Sequence, residues 1–214
     1  MPITKHPMKR PQTRRQTRAE NERAILAAAE SVFAEAGFGG ATMQLIADIA
    51  GLPKANLHYY FATKEELYRR VVQEIFEIWL DAAASFDDAP DPATGIGAYI
   101  DAKMEISRRH PNGSKVWASE VMHGAPVIQD YLEGTLRDWT DGRIAVIQAW
   151  IDAGQMAPID PRHLLYMLWA TTQHYADFGH QVATLNFGRP LSNAEWQIAK
   201  DNVKQIILRG IGAI

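Results

Sequence analysis

The sequence predicts an all-α protein, an N-terminal three-helix helix-turn-helix domain followed by a larger helical domain. Three observations carry this expectation. Apolar residues recur at helical spacing, as in Leu67, Val71, Ile75, Ile78 and Trp79. Helix-starting signals recur as well. Thr17 with Glu20, Thr63 with Glu66 and Ser192 with Glu195 form Ser/Thr-x-x-Glu capping boxes, and Asp91-Pro92 and Asp160-Pro161 pair an N-cap residue with a proline at the first helical position. Finally, no stretch shows a convincing strand alternation, an internal repeat or low complexity.

Taken in order, a basic arm over residues 1–16 precedes a first helix that starts near Thr17. Residues 42–61 read as two short helices around a tight turn. Leu45, Ile46 and Ile49 give the first of these an apolar face, and Thr42 can cap its N-terminus. Gly51 stands where a helix ends in a left-handed residue, and Pro53 where the next begins, because its missing N–H costs nothing there. Helix-turn-helix proteins lay such a second segment in the major groove. Lys54, Ala55, Asn56, His58 and Tyr59 lie on the segment that would face base edges, where asparagine can pair with adenine and lysine with guanine. Tyr59 and Tyr60 have a second reading, as packing against the first helix. A long helix follows over about 64–85, then an Asp- and Pro-rich link to Pro92. Further helices are expected over about 93–110, 114–123, 126–153, 161–183 and 193–210.

The stretch Ala24 to Leu67 resembles the DNA-binding domain of the TetR family of transcriptional regulators. The residues that carry the resemblance run from Ile25 to Glu30, Phe33 to Phe38 and Ile46 to Gly51. The most diagnostic run is Leu57-His58-Tyr59-Tyr60-Phe61-Ala62-Thr63-Lys64-Glu65-Glu66-Leu67. Each piece is weak alone, but together and in order they are specific. The resemblance implies a DNA-binding domain over 17–62 and a helical effector-binding and dimerisation domain over 63–214. It also implies phosphate-contacting roles for Thr42, Tyr60 and Lys64, which set register without reading sequence.

Composition agrees with that expectation. Hydrophobic residues make up 47% of 214, enough for a substantial core. There is no cysteine, which excludes disulfides and thiol chemistry and suits the cytoplasm, the expected location. No apolar run reaches membrane-spanning length, and the N-terminus is basic and polar, unlike a secretory signal. The net charge of −3 hides an asymmetry: residues 1–70 hold 11 Lys and Arg against 7 Asp and Glu, the remainder 11 against 18. A basic reader joined to an acidic body is expected if only the first part meets phosphate; the bland reading is a solvated basic tail, since seven of those cations precede Ala24. Lys5, Lys9 and Arg10 belong to the arm, whereas Arg14, Arg15 and Arg18 lie close to the first helix.

In the second domain Glu77-Ile78-Trp79-Leu80, Gly124-Ala125-Pro126, Ala157 to Pro161 and Trp169 to Phe178 look like the Rut-type pyrimidine-utilisation regulators of that family. That resemblance implies a sensor of uracil or thymine. The residue chemistry is compatible with it. Trp169 and Gln173 are four apart and share a helix face. Indole supplies a plane for a flat ring, and the amide supplies one donor and one acceptor edge. Trp79, on the long helix, would close the pocket from another side. The competing reading makes both tryptophans core filler and Gln173 a satisfied amide or dimer contact. Spacing alone favours that reading; the subfamily resemblance tips the balance to the pocket. Trp117, His123 and the 184–191 loop are able to reshape it.

Other candidates carry less. Glu120, between Trp117 and Val121, reads as buried and paired, and Lys115 as a surface charge near a helix start. His174 and Asp177 are three apart, but no third metal ligand stands at a telling spacing, so neither metal nor cofactor is expected. An enzyme is the rival class. There is no Gly-x-Ser-x-Gly elbow, no phosphate-binding Gly-rich loop ending in Lys-Ser or Lys-Thr, and Gly95-Ile96-Gly97 lacks both the remaining glycine and a preceding strand.

The last helices carry wide apolar faces, Leu164, Leu165, Leu168 and Tyr175 on one and Val203, Ile206, Ile207 and Ile211 on the other. Divided between core and a four-helix interface, they would make a homodimer whose two readers match a palindromic double-stranded operator. The expected protein is therefore a ligand-responsive regulator, most simply a repressor released by a pyrimidine. The alternative is the same switch answering an unrelated small planar or amphipathic effector.

Overall fold

The computed structural model describes residues 14–86 and 89–214. Residues 1–13 of the expected arm, with Lys5, Lys9 and Arg10, and Asp87 and Asp88 of the expected link lie outside the described residues. Every regular element among the described residues is helical. The chain divides into two compact units, Met1–Leu67 and Tyr68–Ile214.

The first unit contains helices α1 (Arg14–Gly40), α2 (Met43–Ala50) and α3 (Lys54–Tyr60) and the first turn of α4 (Lys64–Ala82). Helix α1 starts three residues before Thr17, so Thr17 is a helical residue and not the expected N-cap; arginine and glutamine propagate a helix readily. Near its end Gly37 takes φ 67°, a left-handed conformation that glycine adopts without a Cβ penalty. Around α2 the expected caps are present. Thr42 accepts from the Leu45 N–H at 3.1 Å, and Gly51 ends the helix at φ 68°. The apolar face of α2 differs from the expected one. Ile46 and Ala47 are fully buried, while Leu45 and Ile49 are 42% and 55% exposed. In so short a helix the buried stripe is only about one residue wide per turn, and contact with α1 centres it on Ile46 rather than on the i, i+4 pair beside it. At the start of α4 the Glu66 N–H donates to Thr63 Oγ1, and the Glu66 carboxylate reaches past Thr63 to accept from the Ala62 N–H at 2.9 Å.

The second unit continues α4 into a 3-10 turn (Ala83–Phe86), then α5 (Pro92–Arg109), α6 (Pro111–Met122), α7 (Gln129–Tyr131), a π-helical turn (Leu132–Leu136), α8 (Arg137–Asp152), α9 (Pro161–Asp177), α10 (Gly179–Leu185) and α11 (Asn193–Gly210). Helix α5 packs against both α9 and α11, and α9 also meets α6 and α8. Their shared core holds Phe86, Ile96, Ile100, Met104, Ile147, Leu165, Leu168 and Ile207. Asp91, Asp160 and Ser192 cap α5, α9 and α11, the last as a full capping box.

Three helices expected as continuous are interrupted. The helix over 64–85 tightens to 3-10 after Ala82. The one over 126–153 opens in a turn where Gly124 and Ala125 take φ 86° and 53°, and is regular only from Arg137 onward, after the π turn. The one over 161–183 breaks at Phe178. The apolar spacing of a helix persists roughly through such short 3-10, π and turn segments, so it does not report them.

The apolar stripes of α9 and α11 are largely internal. Leu164, Leu165, Leu168, Val203, Ile207 and Ile211 are all buried in the core, and Tyr175 packs edge-on against Trp196 at 5.4 Å. Of the residues expected at an interface, Ile206 is left outside at 71% exposure, and Met167 of α9 joins it at 48%.

Gly95 sits where α5 meets Trp150; an added Cβ would come within 2.8 Å of both Ala89 Cβ and the Trp150 ring. Overpacking costs about 1–3 kcal/mol, against a helix-propensity gain of at most about 1 kcal/mol for alanine over glycine. Gly95→Ala is expected to lower stability in denaturant titration; a higher midpoint would show that the helix pair relaxes freely.

Candidate functional site

On the first unit, the segment that follows the Gly51 turn presents a polar face. Lys54, Ala55, Asn56, His58 and Tyr59 are all exposed on α3, while Leu57 is fully buried and anchors the helix. Periodicity explains the division: Leu57 is the single apolar residue of α3 that points inward, so its neighbours face out. The Arg18 guanidinium lies 5.7 Å from the Tyr59 ring centre, and Tyr59 meets Tyr60 edge-on at 5.4 Å. Tyr60 is half-buried and its hydroxyl accepts from Asn21 Nδ2 at 3.3 Å, so this side chain is tied to α1. His58 Nδ1 lies 3.3 Å from the Ala62 carbonyl, which can only accept, so Nδ1 carries the proton in that contact. Thr42 is exposed at the N-terminus of α2. Lys64 is committed differently. Its ammonium donates to the Phe38 and Ala41 carbonyls at 2.7 and 3.0 Å and lies 4.3 Å from the Phe38 ring centre. It ties α4 to the end of α1, where unpaired carbonyls attract a cation.

The second unit holds a small cavity of about 60 Å³. Trp79, Trp169 and Gln173 all line it, so two segments far apart in the chain, one on α4 and one on α9, converge. Sequence reasoning missed several other walls: Tyr99 and Lys103 from α5, Trp139 from α8, and Leu136 from the π turn. Trp117 of α6 lines it as well, stacked on Phe76 at 5.3 Å and edge-on to Trp79 at 5.2 Å. The Trp169 indole N–H donates to the Tyr99 hydroxyl at 3.0 Å, which holds the Trp169 ring in place. Trp139 leans against Trp169 with ring centres 6.2 Å apart. Four indoles around one space make a surface suited to a flat ring.

Lys103 is the feature the sequence hid. Ile96, Tyr99, Ile100, Lys103, Met104 and Ser107 form one buried stripe on α5, with a lysine where an apolar residue is expected. That interruption was the available signal. The side chain is 2% exposed, with Nζ 3.9 Å from the centre of the Trp79 ring. Burial lowers its pKa to about 7, against the raising pull of Asp177. Asp177 is itself pushed up by burial, against the opposing effects of the hydroxyl of Ser114, which donates to it at 2.5 Å, and of Lys103, His174 and Lys115. Desolvation thus outweighs the mutual attraction at both ends of the pair. Burial also raises the Tyr99 hydroxyl. The Trp79 indole N–H is buried with no hydrogen-bond partner.

Trp117, Trp169 and Gln173 also border a larger outer groove with Lys115, Met122, His174 and Asp177, so this wall separates the inner cavity from open surface. Nearby, Glu120 is buried, as expected, and accepts from the Val127 N–H at 2.6 Å. Lys115 is half-buried on the groove wall. His174 stacks on Phe178 at 5.0 Å.

Residues 25–71 match the model of bacterial regulatory proteins of the tetR family, and residues 72–214 that of the C-terminal region of YcdC-like proteins. The HTH-type transcriptional regulator RutR of Escherichia coli (strain K12) is 40% identical over 190 residues, 89% of this chain and 90% of its own. The HTH-type transcriptional repressor NicS of Pseudomonas putida is 28% identical over 61% of each chain. Among solved structures, a tetR-family regulatory protein from Rhodococcus RHA1 aligns with TM-score 0.72 at 20% identity, covering 89% of this chain and 96% of its own. AibR in complex with isovaleryl coenzyme A and operator DNA aligns with TM-score 0.68 at 16% identity, covering 87% and 97%. These two establish likeness of fold. No helix among the described residues is long and apolar enough to cross a membrane. Its relatives are regulators and not enzymes, and the chain belongs to the TetR family of bacterial transcriptional regulators.

Proposed function

We propose that the protein is a repressor that binds a palindromic operator as a homodimer and is released by a pyrimidine, uracil or thymine. The observation that carries the effector half is the convergence of Trp79, Trp169 and Gln173 on one indole-walled cavity. Those are the residues that the resemblance to Rut-type regulators picks out. Trp169, with its N–H engaged by Tyr99, serves as the stacking plane, and the Gln173 amide meets an adjacent N–H and C=O of the ring. Trp79 and Phe76 lie on α4, whose first turn belongs to the DNA-reading unit, so an effector touching them acts on the helix that the two units share. Only a difference in effector affinity between the operator-binding and released forms can drive release. An effector bound equally well in both would change nothing.

In the DNA-reading unit, Lys54, Ala55, Asn56, His58 and Tyr59 are the proposed base-facing set, with Thr42 and Tyr60 positioning the backbone. Lys64 contributes through the α1–α4 tie as much as through any phosphate. Dimerisation is assigned to the exposed part of the α9 and α11 stripes, where Ile159, Met167, Ile206 and Gly210 border one groove. The alternative effector, an unrelated planar or amphipathic molecule, would use the same aromatic walls without needing Gln173.

Asn56→Ala is expected to weaken operator binding by about 1–3 kcal/mol and to relax preference at one base pair, measured by titration of operator variants. Uniform weakening across all variants would instead assign Asn56 to the phosphate backbone. Ile206→Glu should shift the protein toward monomer in sedimentation and weaken operator binding with it; an unchanged dimer would move the interface elsewhere. For the effector, calorimetric titration should show saturable binding of uracil or thymine by the wild type that Gln173→Ala loses. Binding of neither base by folded dimer would remove the pyrimidine assignment and leave the regulator.

A further inference from the structure

The polar groups that line the cavity are unequal in kind. Lysine ammonium and indole N–H are donors only. Lys103 Nζ is buried above Trp79, and the Trp79 N–H is a buried donor with no partner. The Tyr99 oxygen already accepts from Trp169, which leaves its proton to donate. Among the side chains that line the cavity, Gln173 supplies the amide acceptor. A half-turn of that amide exchanges its donor and acceptor, so Gln173 tolerates either a carbonyl or an amino group on a ring. Lys103 has no such freedom while it is charged, because an ammonium has no lone pair to accept with.

We propose that Lys103 is a specificity-determining residue of this cavity: with the Trp79 N–H it donates to an exocyclic oxygen of the effector, so the cavity takes oxo-substituted rings and rejects those carrying an amino group in place of that oxygen. The inference rests on the pyrimidine reading above. A ring oxygen satisfies the Trp79 N–H, which is otherwise buried without a partner, and gives the Lys103 ammonium an acceptor, whereas an amino group sets donor against donor. The oxygen favours the charged amine, so ligand binding draws a proton onto Lys103, whose pKa in the free protein is about 7. Asp177 from α9 acts on Lys103 directly; His174 and Lys115 act on Asp177 in turn, and Arg143 from α8 acts on Tyr99, the other titratable group of the cavity wall. Asp177 raises Lys103 but does not overcome burial.

The test is calorimetry of the full-length protein with uracil and cytosine, in two buffers of different ionisation enthalpy near pH 7. Wild type should prefer uracil by roughly 100-fold or more, the loss expected when a donor-lined site meets a donor. Uracil binding should take up a fraction of a proton, and its affinity should fall as pH rises above about 7, where the free protein loses the charge. Lys103→Met should weaken uracil by roughly 10- to 100-fold, the worth of a charged hydrogen bond, and abolish the proton uptake. Lys103→Gln, whose amide can also accept, should regain cytosine and narrow the preference to a few-fold, roughly the value of one interchangeable hydrogen bond. Without ligand Lys103→Met should melt no lower than wild type at pH 7, because burying a charge is unfavourable for folding. It should also lack the rise in stability between pH about 7 and the ordinary lysine value of 10.5, a window in which the unfolded state binds the extra proton. Uracil binding by wild type without proton uptake, or an unchanged uracil preference in both variants, overturns the proposal alone. If wild type binds neither uracil nor thymine, the pyrimidine reading falls and this inference with it.

Discussion

Helix α5 buries a wide stripe along its length, and the second unit is organised around covering it. Its stripe from Ile96 to Ser107 is covered by α9 and α11, and the 3-10 turn at Ala83–Phe86 packs across it as well. Close approach is possible because Gly95 has no side chain to hold Trp150 away. Ser107, buried on the same stripe, satisfies its hydroxyl by donating to the Thr172 carbonyl of α9 at 2.8 Å. The cavity is where this packing does not close. Bulky indoles from four helices meet around Lys103 and leave a gap that none of them fills. A buried amine on the central helix has a free-energy cost in the unliganded protein, and binding sites are where such costs are commonly retained.

The same unit joins that gap to the start of its own share of α4. Glu120 accepts from the Val127 N–H, and its charge and hydrogen bond raise the Tyr68 hydroxyl, after burial itself. Arg69 next to it donates to the Val127 carbonyl and to Asp130, both at 2.5 Å. Trp117, a cavity wall, is three residues from Glu120 on α6, and Phe76 stacks on it from α4. Aromatic contacts and a buried carboxylate therefore tie the cavity to Tyr68 and Arg69. The turn at Gly124–Ala125 is part of this tie: its left-handed residues bring the chain back so that the Val127 N–H meets Glu120.

The reading unit shows a different economy of charge. Lys64, a cation that the family resemblance places at phosphate, already holds two carbonyls at the end of α1. Tyr60 is likewise engaged by Asn21. Lys54 and Asn56, by contrast, are exposed on α3. Residues nearest the helix junctions serve the fold as well as any ligand, while those on the exposed face of α3 are available to one.

Local chemistry was legible from the chain. The caps at Thr42, Asp91, Asp160 and Ser192, the left-handed Gly51 and the helical class follow from interactions within a few residues, which sequence spacing encodes directly. Trp79, Trp169 and Gln173 follow from the resemblance, since spacing alone favours a core-filling role. The rest depended on tertiary packing. Which residue of α2 faces inward, where α7 gives way to a π turn, and how the stripes of α9 and α11 divide between core and surface are settled by neighbours distant in sequence. Lys103 is the clearest case. By itself it reads as an ordinary charged residue on an amphipathic helix, and its altered pKa and donor role exist only because four other helices surround it and exclude water.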